Sequence, residues 1–149
     1  MGIRVASSSD AEALSILVAS LSHFLLEDGS QPLPEWFLQM ISADAFKSRL
    51  ESSEFYNVVC ELDGRIVGYI SVKQRFQIYH LFVAEQHQGK GIAKKLWSHI
   101  TEKFGLSKYF VRSSLYAIAA YKAFGFVEAG EVQAKDGIAF QPMELAAKC

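Results

Sequence analysis

The Asp63-Gly64 pair lies between two segments rich in apolar residues, and it restricts the fold of this chain more than any other sequence feature. An Asp-Gly dipeptide in this setting is the strongest short-range signal of a β-hairpin. Residues 58–62 and 66–72 are therefore predicted to form an antiparallel strand pair. Because a sheet that contains a hairpin cannot be purely parallel, the chain is expected to build a mixed sheet.

Helices are predicted on both sides of this hairpin. Apolar residues at helical spacing indicate two helices before it, one after a cap at Ser9 and one over residues 35–50. The same patterns predict further strands at 3–6, 77–83, 109–112, 127–131 and 138–145, and helices at 90–104 and 115–124. The predicted fold class is α/β (α+β), with a mixed, mostly antiparallel central sheet of about six to seven strands flanked by about four helices.

Size and charge limit the function classes that need to be considered. A chain of 149 residues, half of them apolar, is expected to form one domain over residues 1–149. Its 15 basic and 16 acidic residues give no reason to expect nucleic acid or an anionic membrane as the partner. The start of the chain lacks a signal-peptide pattern and its apolar runs are too short to span a bilayer, so we expect no membrane association.

The cysteines and histidines also limit the kinds of site that the chain can contain. Cys60 and Cys149 are the two cysteines, and they indicate neither a disulfide framework nor metal-ligand spacing. No pair of histidines has ligand spacing either, so no metal is predicted. A reducing, cytoplasmic setting is expected.

The segment from Gln88 to Lys94 joins the strand predicted over residues 77–83 to the next helix. The first amides of a helix lack intrahelical acceptors and lie at the positive end of the dipole, and glycines let an anion approach the backbone. A strand-to-helix connection with two glycines is the simpler interpretation of Gly89 and Gly91 alone. Gly91 in the first turn, followed by Ala93, favours phosphate binding, because glycine costs about 1 kcal/mol there relative to alanine.

Two known phosphate loops do not fit this segment. It lacks the Gly-Lys-Ser/Thr ending of a nucleoside triphosphatase loop and the third glycine of a dinucleotide-binding loop. Gln88, Gly91 and Ala93 instead resemble the signature of the GNAT superfamily of acyl-CoA-dependent N-acyltransferases. The resemblance extends over nearly the whole chain, through Ile3-Arg4 with Asp10-Ala11, Val67-Gly68-Tyr69 after the hairpin, and the segment from Tyr121 to Phe126.

The resemblance implies a binding site for acetyl-CoA as cosubstrate. Gln88 belongs to the signature, and the amides of Gly89, Lys90, Gly91, Ile92, Ala93 and Lys94 would cradle the pyrophosphate. Main-chain groups of Leu81, Phe82 and Val83 would pair with the pantetheine arm like an added strand. The chain departs from the common pattern twice: Glu85 stands where a proline is frequent, and Ser114 stands where many relatives carry an asparagine that contacts the cofactor arm.

The resemblance also implies catalytic residues. Tyr121 matches the family tyrosine that protonates the departing thiolate, although a packed helix tyrosine is the structural alternative. His80 is the candidate base through water, with a structural or exposed histidine as its alternative. Glu54 and Glu61 are weaker candidates, and a water chain without a dedicated base stays open. Trp36 and Phe37 are expected to pack in the core, although the corresponding region of relatives lines the acceptor pocket.

The implied function is an N-acetyltransferase that moves an acetyl group from acetyl-CoA to a primary amine by direct attack in a ternary complex. The amine acceptor is expected to be a small molecule or a peptide, and fold analogy does not choose between them. Two alternatives stay open: a non-catalytic acyl-CoA-binding regulatory module and a phosphate-binding domain unrelated to CoA. The resemblance also leaves a homodimer through the closing strands open.

Overall fold

The computed structural model describes residues 2–74 and 76–145, so Cys149 lies outside the described residues. The strands are β1 (Gly2–Val5), β2 (Phe55–Leu62), β3 (Arg65–Lys73), β4 (Gln77–Val83), β5 (Phe110–Ser114), β6 (Phe126–Glu128), β7 (Gln133–Lys135) and β8 (Ile138–Leu145). The α-helices are α1 (Ala11–Leu21), α2 (Glu35–Met40), α3 (Ala43–Glu51), α4 (Ile92–Phe104) and α5 (Ile118–Ala123). No helix within this described part of the chain has both the length and the apolar character needed to cross a membrane.

One twisted sheet forms the centre of the fold. Its strand order is β1-β2-β3-β4-β5-β8-β6, with β7 also paired to β8. The contact between β4 and β5 is parallel, and every other pairing among the described strands is antiparallel. The predicted hairpin is confirmed as β2 and β3, with Leu62 opposite Arg65 across the Asp63-Gly64 turn. The predicted mixed, mostly antiparallel sheet is confirmed.

The region predicted as one helix over residues 35–50 is two helices. α2 ends at Met40, and the Ser42 hydroxyl accepts a hydrogen bond from the Ala45 amide at 3.2 Å, which caps a new helix. A capping side chain satisfies amides that an unbroken helix would satisfy internally, so it favours a restart. The sequence prediction also missed β7, whose three exposed residues are too few to produce an alternating pattern.

Helices cover the sheet on two faces, and each face has its own core. On one face, α4 and α5 pack over the sheet through Ile92, Leu96, Ile100 and Tyr121. On the other face, α1, α2 and α3 bury Leu14, Val18, Phe37 and Phe46 against Val59 and Tyr69. The buried positions of α1 and α4 recur at helical spacing, as predicted, whereas Trp36 of α2 and Phe104 of α4 are exposed.

A β-bulge at Tyr79 changes the face assignment of β4. Val72 of β3 lies opposite Ile78, and Ser71 lies opposite His80, so Tyr79 is the extra residue. Ile78 therefore joins Leu81 in the α4 core, whereas His80 packs on the α3 side. Strict alternation along residues 77–83 would place Ile78 on one face with His80 and Phe82, and the bulge breaks that alternation.

Gly68 sets the distance between β3 and the first turn of α4. A Cβ atom at this position would lie 2.7 Å from Ile92 Cγ2 and 3.1 Å from Leu96 Cδ1, both closer than van der Waals contact. We expect Gly68→Ala to reduce the free energy of unfolding by about 1–3 kcal/mol, because overpacking forces core side chains to shift. Urea denaturation measures this change, and Gly2→Ala is the control since nothing lies within 4 Å of its added methyl.

Candidate functional site

A cleft opens where β4 and β5 separate. The two strands pair at Gln77 with Phe110 and at Ile78 with Val111, and no pairing between them is found beyond that point in the described chain. Two cavities fill this cleft. The first, here called the loop cavity, has a volume of about 420 Å³ and reaches the start of α4. The second, the sheet cavity, has a volume of about 280 Å³ and extends below α2.

The two cavities adjoin each other. Both are lined by Leu25, Leu81, Phe82, Ser114 and Ala117. A ligand that lies along β4 in the loop cavity therefore ends at the entrance of the sheet cavity. This arrangement suits two reactants that enter from opposite sides and meet beside Phe82.

The loop cavity ends at the glycine turn before α4. Gly89 and Gly91 have φ values of 79° and 80°, in the left-handed region that disfavours other residues. Gly91 is the N-cap of α4, and no side chain caps the helix from that position. Gly91, Ile92 and Ala93 thus line the cavity at the positive end of a 13-residue helix, which is a setting for an anion.

The structure gathers most of the predicted cofactor residues around this cavity. Those that line it are Leu81, Phe82, Val83, Gln88, Gly89, Gly91, Ile92, Ala93 and Ser114. Lys90 and Lys94 are exposed and are not among its lining residues. Lys94 instead borders a separate depression on the outer side of α4, beside His99 and Glu102.

Eight further residues line the loop cavity that the sequence interpretation left out of the cofactor site, among them Phe24, His87 and Tyr116. The Tyr116 hydroxyl donates a hydrogen bond to Gln88 Oε1, and its ring stacks on Phe24 with centroids 4.3 Å apart. Gln88 Nε2 donates to the Val83 carbonyl at 3.1 Å. These contacts connect the glycine turn to the opposite wall of the cleft, and no local sequence pattern predicts them because they join distant segments.

Ser114 ends β5 at the point where the two cavities meet. Its hydroxyl oxygen accepts a hydrogen bond from the Ala117 amide at 3.1 Å, which caps the short turn that leads to α5. The hydroxyl hydrogen can still be donated to a ligand in the cleft. The residue therefore has both a structural contact and access to the site.

Tyr121 lies on α5 and lines the sheet cavity. The residue is 3% exposed, and its ring makes edge contacts with Phe124 and Phe126 at 6.1 Å and 5.4 Å between centroids. Burial raises the pKa of the phenol well above its usual value of about 10. The hydroxyl therefore stays protonated, and able to donate, throughout the physiological pH range.

His80 also lines the sheet cavity, but it lies inside an aromatic cluster. Its ring is 5.6 Å from that of Phe46, 5.9 Å from Tyr69 and 5.5 Å from Phe82, and its Nε2 atom is buried without a hydrogen-bond partner. Burial, and to a smaller degree the Arg49 charge, lowers the pKa of His80 to about 3. A neutral imidazole with this pKa is a weak proton acceptor, so the environment does not favour His80 as a base.

The buried imidazole should make folding sensitive to acid. The folded pKa of about 3 lies below the ordinary value of about 6.5, so between these values the unfolded chain binds more protons and stability falls as pH decreases. We expect His80→Phe to lose less stability than the wild type between pH 6.5 and 5.0, by roughly 1.5 kcal/mol. Urea denaturation at both pH values gives the difference, and equal losses in the two proteins would contradict it.

The other candidate residues from the sequence analysis lie partly outside the two cavities and partly within the sheet cavity. Glu61 pairs with Arg4 at 3.3 Å, and neither Glu54 nor Glu61 lines the two cavities. Phe37 is buried in the core as expected, whereas Trp36 is 37% exposed and both residues line the sheet cavity. Within residues 2–74 and 76–145, no three histidine, cysteine or acidic side chains are close enough to hold a metal ion.

Comparison with solved structures agrees with this geometry. The fold is similar to a GCN5-related N-acetyltransferase from Rhodopseudomonas palustris, with a TM-score of 0.75 and 20% identity over 98% of this chain and 95% of that chain. It is similar to the PaiA N-acetyltransferase from Thermoplasma acidophilum in complex with coenzyme A, with a TM-score of 0.71 and 18% identity over 97% and 98%. It is also similar to an aminoglycoside 6'-N-acetyltransferase complexed with coenzyme A, with a TM-score of 0.75 and 12% identity over 100% and 99%.

Identities this low establish the shared fold and no more. No curated protein matches the chain at a significant level. The sequence profile described as acetyltransferase (GNAT) domain, however, matches residues 17–147, which is most of the chain. The resemblance inferred from Gln88, Gly91 and Ala93 is thereby confirmed: the chain belongs to the GNAT acetyltransferase family and is an acyltransferase enzyme.

Proposed function

We propose that this enzyme is an N-acetyltransferase that moves an acetyl group from acetyl-CoA to a primary amine by direct attack in a ternary complex. The observation that carries this proposal is that the two cavities adjoin beside Phe82, with the glycine turn lining one and Tyr121 lining the other. A pyrophosphate and a reacting amine can occupy the two ends at the same time. Two similar structures are complexes with coenzyme A, which supports the same cosubstrate here.

The amides of residues 89–94 would hold the pyrophosphate, and β4 would hold the pantetheine arm. β4 faces the cleft from Tyr79 to Val83 because its pairing with β5 has stopped at Ile78. An extended arm can therefore hydrogen-bond to the main chain of Leu81, Phe82 and Val83 as a strand would. The thioester then lies where the loop cavity opens into the sheet cavity.

The proposed chemistry is attack of the neutral amine nitrogen on the thioester carbon. Main-chain donors near Phe82 would stabilise the oxyanion, and collapse of the tetrahedral intermediate breaks the carbon–sulfur bond. Tyr121 would donate its proton to the departing thiolate and recover one as the amine nitrogen loses a proton. The products of the overall reaction are an amide and a free thiol, so the protons balance without an additional reactant. Since His80 is poorly suited as a base, proton removal through ordered water is the route that we favour.

Two measurements test the donor and the transfer steps separately. Acetyl-CoA at about 100 times its dissociation constant should stabilise the fold by about 2.7 kcal/mol and raise the melting temperature by roughly 5–10 °C. Release of free thiol that depends on an added amine then shows transfer. Stabilisation without transfer to any amine would favour the regulatory module, and no stabilisation at millimolar acetyl-CoA would exclude the proposal.

A further inference from the structure

If the proposed function holds, the residues that line the sheet cavity indicate the chemical class of the amine acceptor. We propose that the acceptor is an amine with an apolar or aromatic body and an acidic group at the end distant from the amine, and that Arg112 binds this acidic group. Polycationic amines, such as polyamines and aminoglycosides, are disfavoured by the same site. The argument depends on the walls of the cavity, on the charges around it and on the position of Arg112.

The walls of the sheet cavity are mainly apolar. Large side chains from α2, β4 and β8 form most of its surface, among them Trp36, Phe37, Met40, Tyr79, Phe82 and Phe140. Among the described residues that line it there is no aspartate or glutamate, and Arg112 is the one permanently charged side chain. Transfer of several ammonium groups into such a cavity would cost free energy that no carboxylate compensates. An aromatic or aliphatic body would instead bury apolar surface.

The charged groups that contact the walls from outside are mostly positive. Arg49 donates to the Met40 carbonyl at 2.7 Å and lies 5.6 Å from the Tyr79 ring centre, and Lys135 Nζ lies 5.1 Å from the Trp36 ring centre. Among the hydrogen bonds and ion pairs of the described residues, the carboxylate that contacts a wall side chain is Asp136, whose Oδ2 accepts a hydrogen bond from Trp36 Nε1 at 2.6 Å. Together with Arg112, the surroundings favour an anionic group over a second cation.

Arg112 is available for such a group. Its guanidinium carbon lies 5.6 Å from the centre of the Phe140 ring, its side chain is exposed, and it forms none of the ion pairs found among the described residues. A planar guanidinium beside an aromatic ring is well suited to bidentate binding of a carboxylate. The guanidinium therefore lies beside an aromatic residue of the cavity wall.

The position of Arg112 determines where the acidic group would lie. Arg112 follows Val111, which is opposite Ile78, whereas the thioester is proposed to lie beside Phe82. The four residue steps from Ile78 to Phe82 would extend over about 13 Å in a regular strand, and somewhat less with the bulge at Tyr79. The amine and the acidic group are therefore expected at opposite ends of the acceptor, with the apolar body between them, rather than on one carbon atom.

Matched small amines test this inference. We would compare 4-(aminomethyl)benzoate, 4-methylbenzylamine and 1,4-bis(aminomethyl)benzene, which differ in one group distant from the amine, and include spermidine as a polyamine. Free-thiol release at saturating acetyl-CoA gives kcat/KM for each. We expect the benzoate to exceed the diamine and spermidine at least tenfold. Arg112→Gln should lower the benzoate to methylbenzylamine ratio of kcat/KM about tenfold, and Arg112→Glu should shift the preference towards the diamine.

The control variant is Arg65→Gln, which removes an exposed arginine on the β2–β3 hairpin and should leave that ratio unchanged. If spermidine or the diamine is the best acceptor, or if Arg112→Gln leaves the ratio at its wild-type value, this inference is wrong while the acetyltransferase function stands. If acetyl-CoA binds but no amine of any class is acetylated, the proposed function fails and this inference fails with it.

Discussion

Replacing Gly91 by valine is expected to lower the affinity for acetyl-CoA at least tenfold while the protein remains folded. Gly91 has a φ of 80°, and a β-branched side chain in this region costs about 1–3 kcal/mol or forces the turn to another conformation. A change of the turn would redirect the first amides of α4 away from the pyrophosphate. Isothermal titration with acetyl-CoA measures the dissociation constant, and circular dichroism confirms that the variant is folded.

Gly105 at the other end of α4 provides the control for this experiment. Its φ is 78°, and as at Gly91 nothing lies within 4 Å of a Cβ built on it. Its ψ of 177° makes it at least as unfavourable for a side chain, so Gly105→Val should destabilise the fold as much as Gly91→Val. If both variants lose acetyl-CoA affinity equally, the loss at Gly91 reflects general destabilisation and not the phosphate site.

The parts of the fold that could be predicted from sequence are those with strong local causes. Asp63-Gly64 specified the hairpin because few other dipeptides suit its turn, and a buried stripe identified α4 because helical spacing continued over its full length. The turn from Gln88 to Ala93 was recognisable for a similar reason. The positive φ values at positions 89 and 91 favour glycine, so this turn can be recognised from the two glycines in the sequence.

The features that escaped prediction depend on contacts between distant segments. The bulge at Tyr79 arises from the register between β3 and β4, and the residues of β4 do not signal it. Likewise, Phe24 and Tyr116 meet at the cleft from segments far apart in sequence, and each alone has the character of an ordinary surface or core residue.

The loop cavity and the sheet cavity both depend on the separation of β4 from β5. β4 and β5 are parallel neighbours that stay together for two residue pairs and then separate, so the same strand end offers main-chain groups to one ligand and a cavity to another. Family membership supports the proposed binding of acetyl-CoA along β4. The half proposed for the acceptor is lined by α2, β4, β5 and β8, and its apolar walls together with Arg112 are the basis for proposing an acidic acceptor.

Tyr121→Phe is expected to lower kcat by about a hundredfold or more and to leave the affinity for acetyl-CoA within a factor of two. Loss of a positioned general acid typically costs two to four orders of magnitude in rate. The phenyl ring keeps the contacts with Phe124 and Phe126, so packing is retained. Because burial raises the pKa of Tyr121, the wild-type enzyme should show no loss of kcat from ionisation of this phenol below about pH 10.

Tyr109→Phe is the matched control, since Tyr109 is another buried tyrosine in the same core but lies outside both cavities. Its hydroxyl donates to the Gly105 carbonyl at 2.7 Å, so this variant should lose about 1 kcal/mol of stability and keep its kcat. The expected pattern is therefore opposite in the two variants: Tyr121→Phe loses rate with little change in stability, and Tyr109→Phe loses stability with little change in rate. Full turnover in Tyr121→Phe with a good amine acceptor would show that another group protonates the thiolate, and the water route proposed for the amine would then have to serve the sulfur as well.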